Sequence, residues 1–121
     1  MNGRILVVED DKVLRWLTVE TLAHLGYDVV ESANADDAIK VLRSGEPIAL
    51  VLTDVQMPGQ IDGLELANVI WSHYPLLPVI IVSGHTTLSS EALPDNARFI
   101  SKPCTIDSLS LNIAELLGFK T

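Results

Sequence analysis

The amino-acid sequence predicts a doubly wound α/β domain, a five-stranded parallel sheet with helices on both faces, and three observations carry that expectation. Short apolar runs at residues 5–8, 49–53 and 79–82 are bounded by turn or charged residues, as strands buried on both faces are. Longer segments with apolar residues near helical spacing lie between them, and strand–helix alternation builds a parallel sheet. Acidic residues follow the first and second of these runs at once, Glu9-Asp10-Asp11 and Asp54, where open α/β sheets place their ligand chemistry.

The elements follow in order. After the first strand, Leu14, Leu17, Leu22 and Leu25 mark a helix that Asp10 or Asp11 can cap at its start and Gly26 at its end. Residues 27–31 read as a second, weaker strand. Asn34 opens a short helix through Ala38, Ile39 and Leu42 that ends at Gly45. The third strand, 49–53, leads to a third helix over 63–73, with Leu64, Ala67, Ile70 and Trp71 on one stripe and Pro75 and Pro78 beyond its end. Residues 79–82 and 98–100 give the fourth and fifth strands. The last helix follows Thr105, with Ile106, Leu109, Ile113 and Leu117 facing inward and Gly118 as terminator. Right-handed crossovers and the strand order 2-1-3-4-5 put the first and third strands side by side. Glu9, Asp10 and Asp54 then share one crevice, with Ser83 at the end of the fourth strand and Lys102 just after the fifth.

Composition narrows the function. The 121 residues are expected to form one domain, 1–121, without repeat or linker. A formal net charge of −8, from 16 acidic against 8 basic residues, with no Lys/Arg cluster, argues against a nucleic-acid or anionic-membrane surface. Cys104 is the only cysteine, so no intrachain disulfide forms. With no apolar stretch long enough for a signal peptide or membrane span, the expected location is the cytoplasm.

Three carboxylates, a hydroxyl and a lysine at strand ends can be no more than solvated loop residues and helix caps, and Asp11 suits a cap. The sharper reading is a divalent-cation site beside a phosphoryl pocket. Carboxylate and carbonyl oxygens suit Mg²⁺, which keeps waters for a phosphate to displace. Lys102 and Ser83 would meet phosphoryl oxygens, and Asp54 could be the nucleophile.

The segments Ile5-Leu6-Val7-Val8-Glu9-Asp10-Asp11, Thr53-Asp54-Val55-Gln56-Met57-Pro58-Gly59, Asp62-Gly63-Leu64-Glu65-Leu66, Val82-Ser83-Gly84 and Ser101-Lys102-Pro103 together resemble the receiver domain of bacterial two-component response regulators, over essentially the whole chain. The resemblance implies a flavodoxin-like fold and phosphoryl transfer to Asp54 from a phosphohistidine on a sensor histidine kinase or histidine phosphotransfer protein. It implies Mg²⁺, with Mn²⁺ as a substitute, held by Asp10, Asp54 and the backbone carbonyl of Gln56, with Glu9 close by. It makes Lys102 the phosphate-binding lysine, Ser83 the switch hydroxyl and Phe99 the aromatic switch residue. It places His85 and the Gln56 side chain where the dephosphorylation rate is set, and gives Lys102-Pro103 a cis peptide bond. The implied protein is a phosphoacceptor switch with self-catalysed chemistry rather than an enzyme. The expected protein is a stand-alone, chemotaxis-regulator-like receiver, with a receiver cut from a longer regulator as the open alternative.

Two stretches depart from the common pattern. Gly59-Gln60-Ile61 is one residue longer than usual, and the segment 85–97 is short, polar and interrupted by Pro94, so a short or irregular fourth helix is expected. Other readings compete. A dehalogenase-type phosphatase wants a second acid where Gln56 stands, and a flavodoxin-like cofactor binder wants Ser, Thr and Gly where Glu9-Asp10-Asp11 stand. A phosphorylation-independent interaction module on the same fold is the remaining alternative. His24 and His73 read as surface or packing residues, Cys104 as a packing residue, and Trp16 and Trp71 as structural.

Overall fold

The computed structural model describes residues 4–54, 63–83, 96–101 and 105–117, with positions 63, 64, 83 and 101 described by backbone alone. Strands β1 (Arg4–Val8), β2 (Val29–Ser32), β3 (Ile48–Asp54), β4 (Val79–Ser83) and β5 (Ala97–Ser101) form one parallel sheet in the order β2-β1-β3-β4-β5, as expected. The helices are α1 (Lys12–His24), α2 (Ala35–Arg43), α3 (Gly63–His73) and α4 (Ile106–Leu117). Strand β3 runs one residue further than expected, so Asp54 is its last residue rather than the residue after it. The expected irregular helix lies outside the described residues, apart from Asn96 and Ala97. So do the long stretch 59–61, Cys104, Gly118 and the Lys102-Pro103 bond.

Alternate strand residues feed two cores. Leu6, Val8, Val51, Val79 and Ile81 meet Ala35, Ala38 and Leu42 of α2 and Leu66, Ala67 and Ile70 of α3. Ile5, Val7, Leu50, Leu52 and Ile80 turn the other way, onto Leu22 of α1 and Leu109 and Ile113 of α4. A strand buried on both sides has no polar face to show, which is why these runs are apolar without alternation. Each fully buried aliphatic side chain contributes roughly 1.5–3 kcal/mol of transfer free energy, so this double layer makes the middle of the sheet the most strongly held part of the molecule.

Local chemistry sets the ends of α1. Asp11 is the cap: its carboxylate accepts from the amides of Val13 at 2.9 Å and Leu14 at 3.1 Å. At the other end Gly26 has φ +97°, the Tyr27 amide donates to the Leu22 carbonyl at 3.0 Å, and the Gly26 amide donates to Ala23 at 3.0 Å. This paired reverse turn requires a left-handed residue, which glycine supplies without a Cβ penalty. The Asn34 side chain caps α2 through the amide of Asp37 at 2.8 Å.

One inward assignment, Ile106, is corrected, and two of the leucines that mark α1 are exposed. Leu14 and Leu17 are 41% and 47% exposed, and Ile106 is 57% exposed. Helix α1 is apolar on several sides, so spacing alone could not select its buried stripe. Val19, Leu22 and Leu25 pack on the sheet, and at the amino end the half-buried residues are Arg15 and Thr18. Ile106 is the first residue of α4, beyond the turn that Leu109 buries. Trp16 is 60% exposed and so does not serve packing, whereas Trp71 packs against the α2–α3 core. His24 and His73 lie at the surface. Among the described residues, no helix is long and apolar enough to cross a membrane.

In urea unfolding, Leu22→Ala is expected to lower stability by about 2–5 kcal/mol, while Leu17→Ala stays within about 0.5 kcal/mol. A Cβ at Gly26 meets nothing within 4 Å. Gly26→Ala should therefore cost only the left-handed conformation, about 1–2 kcal/mol in the same measurement.

Candidate functional site

The site is assembled by strand register. Val8 of β1 pairs with Thr53 of β3, so Glu9 and Asp54, each one residue further on, lie side by side at the carboxyl edge of the sheet. Asp54 in turn pairs with Val82 of β4, and Ser83 with Ser101 of β5. The backbone of Ser83 thus stands one residue past the Asp54–Val82 pair, on the expected edge. Among the described residues, one carboxylate oxygen from each of Glu9, Asp10 and Asp54 lies within 4.8 Å of the other two. Glu9 is buried, Asp54 half-buried and Asp10 exposed.

Several hydrogen bonds hold this edge. The Asp11 amide donates to Glu9 Oε2 at 3.0 Å, while the Asp11 carboxylate caps α1 as described. Asp11 therefore links the acidic edge to the helix and is not part of the cluster. The Glu9 amide donates to the Ser32 carbonyl at 3.1 Å, continuing the β1–β2 pairing past Val8. Arg15 Nη1 donates to the Glu9 carbonyl at 2.8 Å, and its Nε donates to Glu31 Oε1 at 3.1 Å. The buried Thr53 hydroxyl donates to the Asp54 carbonyl at 2.9 Å. Beside the carboxylates opens a cavity of about 510 Å³, lined by Glu9, Thr18, Thr53, Asp54, Val82 and Leu109 among others.

Electrostatics decide what the cluster is suited to. Two like unit charges 4–5 Å apart repel by roughly 3–4 kcal/mol at the effective dielectric of a protein surface. A divalent cation turns that repulsion into attraction. Oxygens bound to one Mg²⁺ at about 2.0–2.1 Å lie no more than about 4.2 Å apart, so the set closes on such an ion with small side-chain rotations. An all-oxygen donor set of two or three carboxylates, with room for water, fits Mg²⁺ better than a softer metal.

The structure thus brings together the predicted Glu9, Asp10 and Asp54, and places the Ser83 backbone beside them. Phe99 lies on β5 opposite Ile81, half-buried against the α2–α3 core. The Ser83 side chain, Gln56, His85 and Lys102 lie outside the described residues. The sequence reading missed Arg15 and Glu31. The only available signal was a basic residue one turn into α1, which resembles any solvated helix residue.

Comparison with known proteins agrees with this geometry. The family of the response regulator receiver domain matches residues 5–114. The NtrX-like response regulator of Rickettsia felis is 37% identical over 109 residues, covering 87% of this chain and 23% of that protein. The DNA-binding transcriptional regulator NtrC of Escherichia coli is 36% identical over 109 residues, covering 88% of this chain and again 23% of the relative. The chain therefore spans about a quarter of the length of these relatives. The response regulator TrrA of Thermotoga maritima, in complex with Mg²⁺ and BeF, superposes with a TM-score of 0.84 at 31% identity, covering 95% of this chain and 99% of that one. With sheet order, acidic edge and sequence in agreement, this chain belongs to the response regulator receiver domain family.

Proposed function

We propose that Asp54 accepts a phosphoryl group from a phosphohistidine on a sensor histidine kinase or histidine phosphotransfer protein. The observation that carries this reading is the convergence of Asp54 with Glu9 and Asp10 at the end of β3. Glu9 is buried with an oxygen held by the Asp11 amide, which suits a positioned ligand, and the exposed Asp10 suits a ligand at the mouth. Asp54, at the end of the central strand, is the nucleophile in this assignment. A bond forms between its carboxylate oxygen and phosphorus as the phosphorus–nitrogen bond to the donor imidazole breaks. Water later cleaves the acyl phosphate, returning the carboxylate and releasing inorganic phosphate.

Bound Mg²⁺, or Mn²⁺ in its place, supplies neutralisation of charge on the carboxylates and phosphoryl oxygens. Glu9, Asp10, Asp54 and the Gln56 carbonyl are assigned to hold it. Lys102 and Ser83 are assigned to phosphoryl oxygens, Ser83 with Phe99 to the switch, and the Gln56 side chain with His85 to the hydrolysis rate. The register that sets Ser83 beside Asp54, and the half-buried ring of Phe99, support the switch assignment. In this reading the domain is a cytoplasmic, self-catalysed switch and not a turnover enzyme. Its net charge of −8 supports a protein target over nucleic acid or membrane. We assign donor docking to the outer face of α1, where Val13, Trp16 and Leu17 are 65%, 60% and 47% exposed, four to eight residues beyond Glu9. A helical phosphodonor carrying its histidine on an amphipathic face would meet this apolar strip while presenting the imidazole to Asp54.

Intact-protein mass after incubation with acetyl phosphate is expected to show one added phosphoryl group with Mg²⁺, and none without it or in Asp54→Asn. Absence of any adduct under rapid quench would favour the phosphorylation-independent interaction module, and an adduct persisting in Asp54→Asn would identify another nucleophile. Trp16→Ala should slow transfer from a phosphorylated kinase about tenfold or more, as loss of an interface tryptophan does, while leaving the acetyl phosphate reaction unchanged. Equal slowing with both donors would place Trp16 in the chemistry and not the docking.

A further inference from the structure

Arg15 belongs to none of the motifs above, and the proposed chemistry does not use it. Its side chain is nevertheless only 16% exposed and makes two directed bonds, Nη1 to the Glu9 carbonyl at 2.8 Å and Nε to Glu31 Oε1 at 3.1 Å. The Glu9 amide is held as well, by the Ser32 carbonyl at 3.1 Å. The peptide unit is planar, so the carbonyl of Glu9 and the amide of Asp10 turn together. Arg15 therefore sets the peptide from which the Asp10 side chain departs. Among the described residues no hydrogen bond fixes the Asp10 side chain itself, so its aim depends on this backbone orientation.

We infer that Arg15 is a positioning residue for the cation site, locking the Glu9–Asp10 peptide between α1 and β2 so that both carboxylates face Asp54. The inference rests on the reading of Glu9, Asp10 and Asp54 as a Mg²⁺ site. Simple Coulomb attraction gives the opposite expectation. A guanidinium beside the cluster repels an incoming cation, so on charge alone its removal tightens Mg²⁺ binding. Positioning requires that removal weaken it. Lysine at this place keeps the charge but lacks the planar fork that reaches the two acceptors at once. On charge alone Arg15→Lys changes nothing, and on positioning it weakens binding.

The test is the Mg²⁺ dissociation constant by isothermal titration calorimetry, with thermal unfolding followed in parallel. Wild type, Arg15→Lys, Arg15→Met and Arg4→Met are compared. Arg4 opens the same strand and pairs with Glu46 at 3.1 Å, so Arg4→Met removes one positive charge far from the site. Both Arg15 variants are expected to raise the dissociation constant about tenfold, as loss of an outer-shell partner does, with Arg4→Met within about twofold of wild type whatever its unfolding temperature. Arg15→Lys retains the charge and most of the side chain, so it keeps the test open should Arg15→Met fail to fold. An unchanged constant in Arg15→Lys, or tighter binding in Arg15→Met, overturns the positioning role while leaving the cation site intact. A wild-type chain that takes up no Mg²⁺ overturns both.

Discussion

The convergence of Glu9, Asp10 and Asp54 on one edge of the sheet is the constraint on which the rest of this site depends. The register of β1 against β3 forces Glu9 and Asp54 together whatever their charges, because both follow directly on the Val8–Thr53 pair. Like charges held this close repel, so the geometry has to be maintained against that repulsion. The sheet sustains it because the strands leading to the site are buried on both faces. Ile5, Leu6, Val7, Val8, Leu50 and Val51 are each at most 1% exposed. So rigid a frame keeps the strands from moving apart, and the acidic edge it holds offers a divalent cation a ready set of oxygens.

The same logic divides the molecule into a held part and a responsive part. Backbone pairing fixes Glu9, Asp54 and the Ser83 backbone relative to one another, and no loop rearrangement is needed to bring them together. Phe99 differs in kind. It lies on an edge strand, half-buried against the α2–α3 core, so a change in its packing disturbs fewer neighbours than a change at Ile81 beside it, which is fully buried. The packing on the β5 edge is therefore the easier of the two to rearrange.

Helix α1 serves two surfaces at once. Its first turn faces the site, where Asp11 ties the helix amides to the Glu9 side chain and Arg15 ties the helix to the Glu9 backbone. Its outer side leaves Val13, Trp16 and Leu17 in contact with solvent, which a helix selected only for packing would not do. A partner resting on that side would lie within a turn of the residues that aim the carboxylates.

The sequence by itself determined the layer structure and the acidic edge. Strands buried on both faces must be apolar throughout, and chemistry at the carboxyl ends of parallel strands must appear directly after those runs, so residues 5–8 with Glu9 and Asp10, and 49–53 with Asp54, were legible in one dimension. The ends of α1 and α2 were legible for a related reason, since Asp11, Gly26 and Asn34 act on backbone within a few residues of themselves. What only the tertiary structure decided was orientation. Helix α1 carries apolar residues on several sides, so periodicity could not choose among Leu14, Leu17, Leu22 and Leu25, and packing against the sheet selected Val19, Leu22 and Leu25. The clasp of Arg15 on Glu9 and Glu31 was equally hidden. It joins a helix, a strand end and a neighbouring strand that lie 6 and 16 residues apart in the chain, and only the right-handed crossover between β1 and β2 brings them within hydrogen-bonding distance.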